Sequence, residues 1–212
     1  MSAGEPTVRR GVTTGGDASG GVTVVVLAGG TSRRFGSDKL AAPLQGRTVL
    51  DAVLHSLPAD WPLVVVGPVR EVTRPVAWAR EDPPGGGPLA GVVAGLEVVR
   101  TPLVAVAAGD MPYAGPALVT LVGVLRTAPP EVDAVVATDS HGVANPLLAA
   151  YRVDAVRAVV PRPATNRPAK LLLEVAHVEV TVSGPAGRDV DTPSDLKALE
   201  QLKDLQDRVG PT

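Results

Sequence analysis

An apolar, β-branched run, Val22 to Leu27, breaks at Ala28-Gly29-Gly30 into Thr31-Ser32-Arg33-Arg34-Phe35-Gly36-Ser37-Asp38-Lys39. This change of character constrains the chain more than any other feature. A buried strand that opens into a glycine-rich loop with clustered cations is how α/β proteins build a phosphate cradle after their first strand. The glycines let backbone N–H groups come close to an anion, and Arg33, Arg34 and Lys39 supply charge. Glycines needed only for a tight strand-to-helix turn would leave those three cations unexplained.

Two common phosphate loops do not fit. In the Walker A pattern a glycine immediately precedes a Lys-Ser/Thr pair, whereas Gly36 is followed by Ser37-Asp38-Lys39-Leu40. The dinucleotide fingerprint requires Gly-x-Gly-x-x-Gly opening into a helix, a spacing that Gly29, Gly30 and Gly36 do not supply.

The remaining pattern alternates strands with helices. Strands are expected at 22–27, 63–66, 76–79, 103–107, 133–137, 146–151 and 177–182. Helices are expected at 48–57, 88–100 and 116–126, with shorter ones from Val153 and Ala169. A last helix should open at Thr192-Pro193-Ser194-Asp195, where Thr192 can cap, Pro193 suits the first turn and Asp195 completes a capping box. Such alternation implies parallel pairing with right-handed crossovers, and hence a three-layer α/β/α, Rossmann-like sandwich on a mostly parallel central sheet. Ligands of such sheets lie beyond the carboxyl ends of the strands, where strand order reverses. The loop after the first strand and Asp110, after a central strand, should therefore face one crevice.

Composition narrows the function. Aromatic residues make up 2% of the chain and the formal net charge is −2. Neither stacking platforms nor a broad basic field is present to bind nucleic acid or an anionic membrane. The apolar run at 88–100 is too short to span a bilayer and is interrupted by Glu97. The sequence has no cysteine, which excludes disulfides, thiolate metal sites and a cysteine nucleophile. His55, His141 and His177 lack metal-ligand spacing. Residues 1–21 carry no apolar core of a secretory signal and read as a disordered tail, which makes the cytoplasm the default location. A single domain is expected over 22–202, with a C-terminal tail over 203–212.

The stretch from Leu27 to Lys39 resembles the signature L-A-G-G-x-S-x-R-M-G-x-D-K of the MobA-like nucleotidyltransferases, with Phe35 where Met is usual. Gly87-Pro88-Leu89-Ala90-Gly91 matches the family's G-P-L-A-G. Gly109-Asp110-Met111-Pro112 is similar to its strand-end D-x-P segment, and Asp189-Val190-Asp191 looks like its C-terminal site segment, where Asn is frequent. The likeness runs from about Val22 to Leu202. It implies a fold of the nucleotide-diphospho-sugar transferase type and a molybdenum cofactor guanylyltransferase activity, with GTP and molybdopterin as substrates and Mg²⁺ as cofactor. It assigns nucleotide binding to Leu27, Ala28, Gly29, Gly30, Lys39, Asp82 and Asp110, catalysis to Lys39, Arg33 and Asp110, and metal to Asp110 with Asp191 and Asp189. It places Arg162, Arg167 and Lys170 in a region associated with the acceptor, although a solvated basic loop explains them as well. Proteins that insert molybdenum or mature molybdoenzymes are the partners it implies.

Other readings stay open on the residues themselves. Asp110 could cap the next helix, Asp191 could only aid the last helix start, and the glycines of 87–95 could serve close packing. The rival activities are a CTP-using molybdopterin cytidylyltransferase or another NTP:phosphate nucleotidyltransferase. A rival of another class is a non-catalytic nucleotide-binding regulator.

Overall fold

The computed structural model describes residues 21–30, 35–199 and 201. The expectations for the tails and for Arg33 lie outside these residues. Strand β1 (Val22–Leu27) is followed by a two-stranded hairpin, β2 (Pro43–Leu44) and β3 (Arg47–Thr48), and by helix α1 (Val49–Ser56). Then come β4 (Leu63–Val66), β5 (Ala77–Ala79), α2 (Pro88–Val98), β6 (Leu103–Ala108), α3 (Gly115–Thr127), β7 (Ala134–Thr138), β8 (Ala144–Arg152), α4 (Val153–Val159) and β9 (His177–Thr181). A final helix begins at residue 193. No helix among the described residues is long and apolar enough to cross a membrane.

Seven strands form one sheet in the order β5-β4-β1-β6-β8-β7-β9. The expected parallel pairing holds for β5, β4, β1 and β6 and again for β7 with β9. β8 instead runs antiparallel to both β6 and β7. Alternating side chains of β1 explain the three layers. Val24 and Val26 face α1 and α3 in one core, while Val25 faces α2 and α4 in the other. All three valines are fully buried.

Besides the antiparallel β8, the structure departs from the sequence reading in two places. The β2–β3 hairpin was not expected. Its turn residues Gln45 (φ 49°) and Gly46 (φ 79°) both lie at positive φ, as two-residue turns of the I′ kind require. The helix expected from Ala169 is a 3₁₀ segment, Ala169–Glu174. Elsewhere boundaries move by a residue or two. Thr48 is the cap of α1 rather than its first residue, accepting a hydrogen bond from Asp51 N at 3.1 Å.

Reversal of strand order puts β1 between β4 and β6, and both neighbours leave the sheet through a glycine. A Cβ on Gly109 would lie 2.8 Å from Leu27 O, and one on Gly67 (φ 148°) would lie 2.7 Å from the Ala28 carbonyl. Helix α2 also needs a missing side chain. A Cβ at Gly95 would stand 2.6 Å from Val25 Cγ1, and Val25 is a stiff, fully buried β-branched residue. Gly91 likewise packs on Leu27, so close packing accounts for both glycines.

Gly95→Ala is therefore expected to lower stability, because overpacking of about 1–3 kcal/mol exceeds the gain of about 0.5–1 kcal/mol from removing a helical glycine. Gly123→Ala in α3, where a Cβ would meet nothing within 4 Å, should raise it by about 0.5–1 kcal/mol. Thermal unfolding of the two variants checks both signs.

Candidate active site

Three segments distant in sequence meet over the carboxyl ends of β1 and β6. The first follows β1. Ala28 N continues the sheet by donating to Val66 O at 2.7 Å, and Gly29 and Gly30 then emerge exposed, Gly30 with φ 114°. The loop ends in a 3₁₀ turn, Lys39–Ala41, which Asp38 caps by accepting from Leu40 N, while Leu40 itself is buried in the core. Of the sequence-assigned nucleotide residues, Leu27 and Ala28 serve packing and strand pairing. Gly29, Gly30 and Lys39 face the crevice region.

The second segment follows β6. Gly109 N donates to Leu27 O at 2.8 Å, so Asp110 starts its excursion directly beside the end of β1. Asp110 does not cap α3: that helix begins at Gly115 with Ala114 as its cap residue. The third segment returns after β9. Val190 N donates to Asp110 O at 2.9 Å, which lays residues 189–191 against the Asp110 turn. The start of the final helix is held by Thr192 and Asp195 reciprocally, with Asp195 Oδ2 2.6 Å from Thr192 N and Thr192 Oγ1 3.2 Å from Asp195 N. The Asp191 side chain is therefore not needed to cap that helix.

Lys39 joins the three segments. Its Nζ lies 2.5 Å from Asp110 Oδ2 and 3.0 Å from Asp191 Oδ1. Partial burial alone would lower the Lys39 pKa, but hydrogen bonds to Asp110 and Asp191, and then their charges, outweigh it and hold it above its usual value. Asp189 shows the opposite stress. Desolvation raises its pKa, and the charges of Asp110 and Asp191 raise it further against the partial relief from Lys39. Two carboxylates thus contact one ammonium group, with the charge of Asp189 close enough to feel all three. Asp110 Oδ1 is buried and has no hydrogen-bond partner among the described residues.

Among the described residues, no group of three or more His, Cys, Asp or Glu side chains is arranged to hold a metal ion. Asp82 is exposed at the start of the Pro/Gly loop. Its neighbour Glu81 is the carboxylate that approaches the cradle: it accepts from Gly85 N at 3.0 Å and would stand 3.7 Å from a Cβ at Gly29. Arg70, after β4, pairs with Asp38. The sequence reading missed both Glu81 and Arg70. The available signal was their position just past a strand end on the crevice side, the same one that drew attention to Asp110. Arg162, Arg167 and Lys170 are exposed, and their loop reaches the Pro/Gly loop that precedes α2 through Asn166 N to Gly86 O at 2.7 Å.

A glycine cradle after the first strand, opposed by strand-end carboxylates at the reversal of strand order, defines a nucleotide-handling α/β protein. A family model for the MobA-like NTP transferase domain matches residues 24–187. The chain belongs to that family. It is 35% identical over 140 residues to a probable molybdenum cofactor guanylyltransferase of Chloroflexus aggregans, covering 62% of this chain and 66% of that protein. A protein of the same printed name from Bacillus cereus is 36% identical over 135 residues, covering 60% and 66%. The chain thus spans slightly less than two thirds of these relatives. Among solved structures, the molybdopterin-guanine dinucleotide biosynthesis protein A of Archaeoglobus fulgidus superposes with a TM-score of 0.68 at 24% identity, over 86% of this chain and 99% of that one. The 2-C-methyl-D-erythritol 4-phosphate cytidylyltransferase of Thermus thermophilus gives 0.62 at 21%, over 87% and 99%. Both likenesses confirm the fold.

Removing the shared cation should expose the carboxylate repulsion. Lys39→Met is expected to cost about 1–3 kcal/mol, less than for a fully buried pair because Asp191 is 41% exposed. Adding Asp191→Asn should recover part of that loss, so a double-mutant cycle in urea gives a non-zero coupling.

Proposed function

We propose that the chain transfers GMP from GTP to molybdopterin with Mg²⁺, giving the guanine dinucleotide cofactor and pyrophosphate. The observation that carries this reading is Lys39, at the end of the cradle loop, bound to Asp110 and Asp191 across the switch in strand order. Family membership and the printed names of the two relatives favour guanylyl transfer and molybdopterin as acceptor. The cytoplasm as location and molybdenum-insertion or molybdoenzyme-maturation proteins as partners belong to the same proposal.

The residues fit a magnesium ion. Mg²⁺ takes one or two carboxylates and completes its shell with water and phosphate oxygens, so it does not need a cage of three protein ligands. Asp110, whose Oδ1 is buried without a partner among the described residues, would be the first ligand, and Asp191 and Asp189 would be the candidates to assist it. When bound, the ion neutralises charge on the triphosphate.

The chain's own groups supply the rest. Gly29 and Gly30 present backbone with no side chain in the way, which lets N–H groups meet phosphate oxygens. Lys39 places a point charge where negative charge accumulates. An oxygen of the acceptor phosphate bonds to the α-phosphorus as the bond from the α-phosphorus to the bridging oxygen breaks, and pyrophosphate leaves. A phosphate monoester is already largely ionised at neutral pH, so no general base is required. The exposed Arg162, Arg167 and Lys170 are the cations available to an anionic acceptor.

Purified protein with Mg²⁺ and molybdopterin should release pyrophosphate from GTP and not from CTP, and only when the pterin is present. Release from CTP alone would make it a cytidylyltransferase, and no pterin-dependent release from either would overturn the acceptor or the activity. Asp110→Asn should lower turnover by about 10²–10³-fold, the scale of losing one preorganised electrostatic contact, while unfolding cooperatively. Normal turnover in that variant would refute the role given to Asp110.

A further inference from the structure

Arg70 is a charged side chain at the crevice to which the reaction above assigns no task. It follows the end of β4, and its guanidinium pairs with Asp38 Oδ2. The other oxygen of the same carboxylate, Oδ1, accepts from Leu40 N. Asp38 is thus held on both oxygens, and the next residue in the chain is Lys39.

We propose that Arg70 is a positioning residue for nucleotidyl transfer: acting through Asp38, it fixes the turn from which Lys39 reaches the reacting phosphates. The inference rests on the transferase reading. Sheet order gives it a mechanical basis, because β1 lies between β4 and β6. The turn is tethered toward the β4 side by Arg70 to Asp38 and toward the β6 side by Lys39 to Asp110. Leu40, buried beneath, is the third anchor. Two opposed charged tethers and one apolar anchor define where the Lys39 backbone sits above the end of β1.

Stability does not account for the contact equally well. The Asp38 side chain is 41% exposed, and ion pairs of that exposure add little to folding. Arg70 Nε is buried without a hydrogen-bond partner among the described residues, which is an energetic cost. A guanidinium that leaves one N–H unsatisfied while pairing with a half-exposed carboxylate is better explained by what it orients than by what it stabilises.

The test compares Arg70→Ala and Arg70→Lys with the wild type. Hydrogen exchange at the Leu40 amide, which reads the Asp38 cap with no substrate present, should accelerate in Arg70→Ala. Turnover should fall by up to about 10²-fold, the scale of a displacement near 1 Å, with KM for GTP changed less than kcat. Arg70→Lys, which keeps the charge opposite Asp38, should recover a large part of both readouts. Unchanged turnover in Arg70→Ala, or an equal loss in both variants, overturns the proposal. A wild-type protein without turnover would overturn the transferase reading instead, and Arg70 would then be judged by Leu40 exchange, where no acceleration in Arg70→Ala refutes it.

Discussion

The contact of the Lys39 ammonium with Asp110 and Asp191 is the interaction on which the site depends. Lys39 and Asp191 lie 152 positions apart in sequence, yet their charged atoms are 3.0 Å apart. Nothing local could bring them together; the whole sheet is needed. The contact also restrains a local conflict. Asp189 is destabilised as an anion first by desolvation and then by the charges of Asp110 and Asp191, with partial relief from Lys39, so the cation faces more negative charge than it can neutralise. Like charges assembled this closely work against the folded state, and such conflicts concentrate at functional sites.

The sheet makes that assembly affordable by being small-sided where it matters. Around the end of β1, the exits of the strands on either side of it, β4 and β6, have shed side chains. Gly67 and Gly109 come within 2.7 and 2.8 Å of the Ala28 and Leu27 backbone, measured from where their Cβ atoms would be. On the far face Gly95 lets α2 settle onto Val25. Each missing Cβ lets a backbone come closer to β1, which places the Asp110 turn directly beside the end of that strand and within reach of the Lys39 side chain.

Much of this was legible in the sequence, for reasons that differ by residue. The Val22–Leu27 run and the loop after it announced themselves because a fully buried parallel strand has no polar alternation and its exit must be polar. Asp110 was legible because a carboxylate ending an apolar strand is costly unless something pairs with it. What Asp110 pairs with was not legible, since its partner Lys39 is fixed by tertiary contact. The choice between Asp191 as cap and Asp191 as site residue needed coordinates: Thr192 and Asp195 close the capping box between themselves. The antiparallel β8 was hidden for a related reason, because its buried run Leu148-Ala149-Ala150-Tyr151 carries no polar alternation and so reads the same in either direction. Arg70 and Glu81 were missed because each sits in a segment without periodicity, where only its place above a strand end gives it meaning.

The same ion contact has a thermodynamic consequence for the proposed reaction. An anionic ligand that engages Lys39 competes with Asp110 and Asp191 for it, so binding such a ligand alone would leave two carboxylates facing each other beside Asp189. A cation arriving with the ligand removes that penalty, and by linkage each then favours the other equally. Under the proposed reaction, the arrangement would favour a nucleotide that arrives with a divalent cation over a bare one. Among the described residues no three-ligand cage is preformed; Lys39 is the cation that holds Asp110 and Asp191 together, and in the proposed reaction a metal ion held by those carboxylates would take over that neutralisation while Lys39 turned to phosphate.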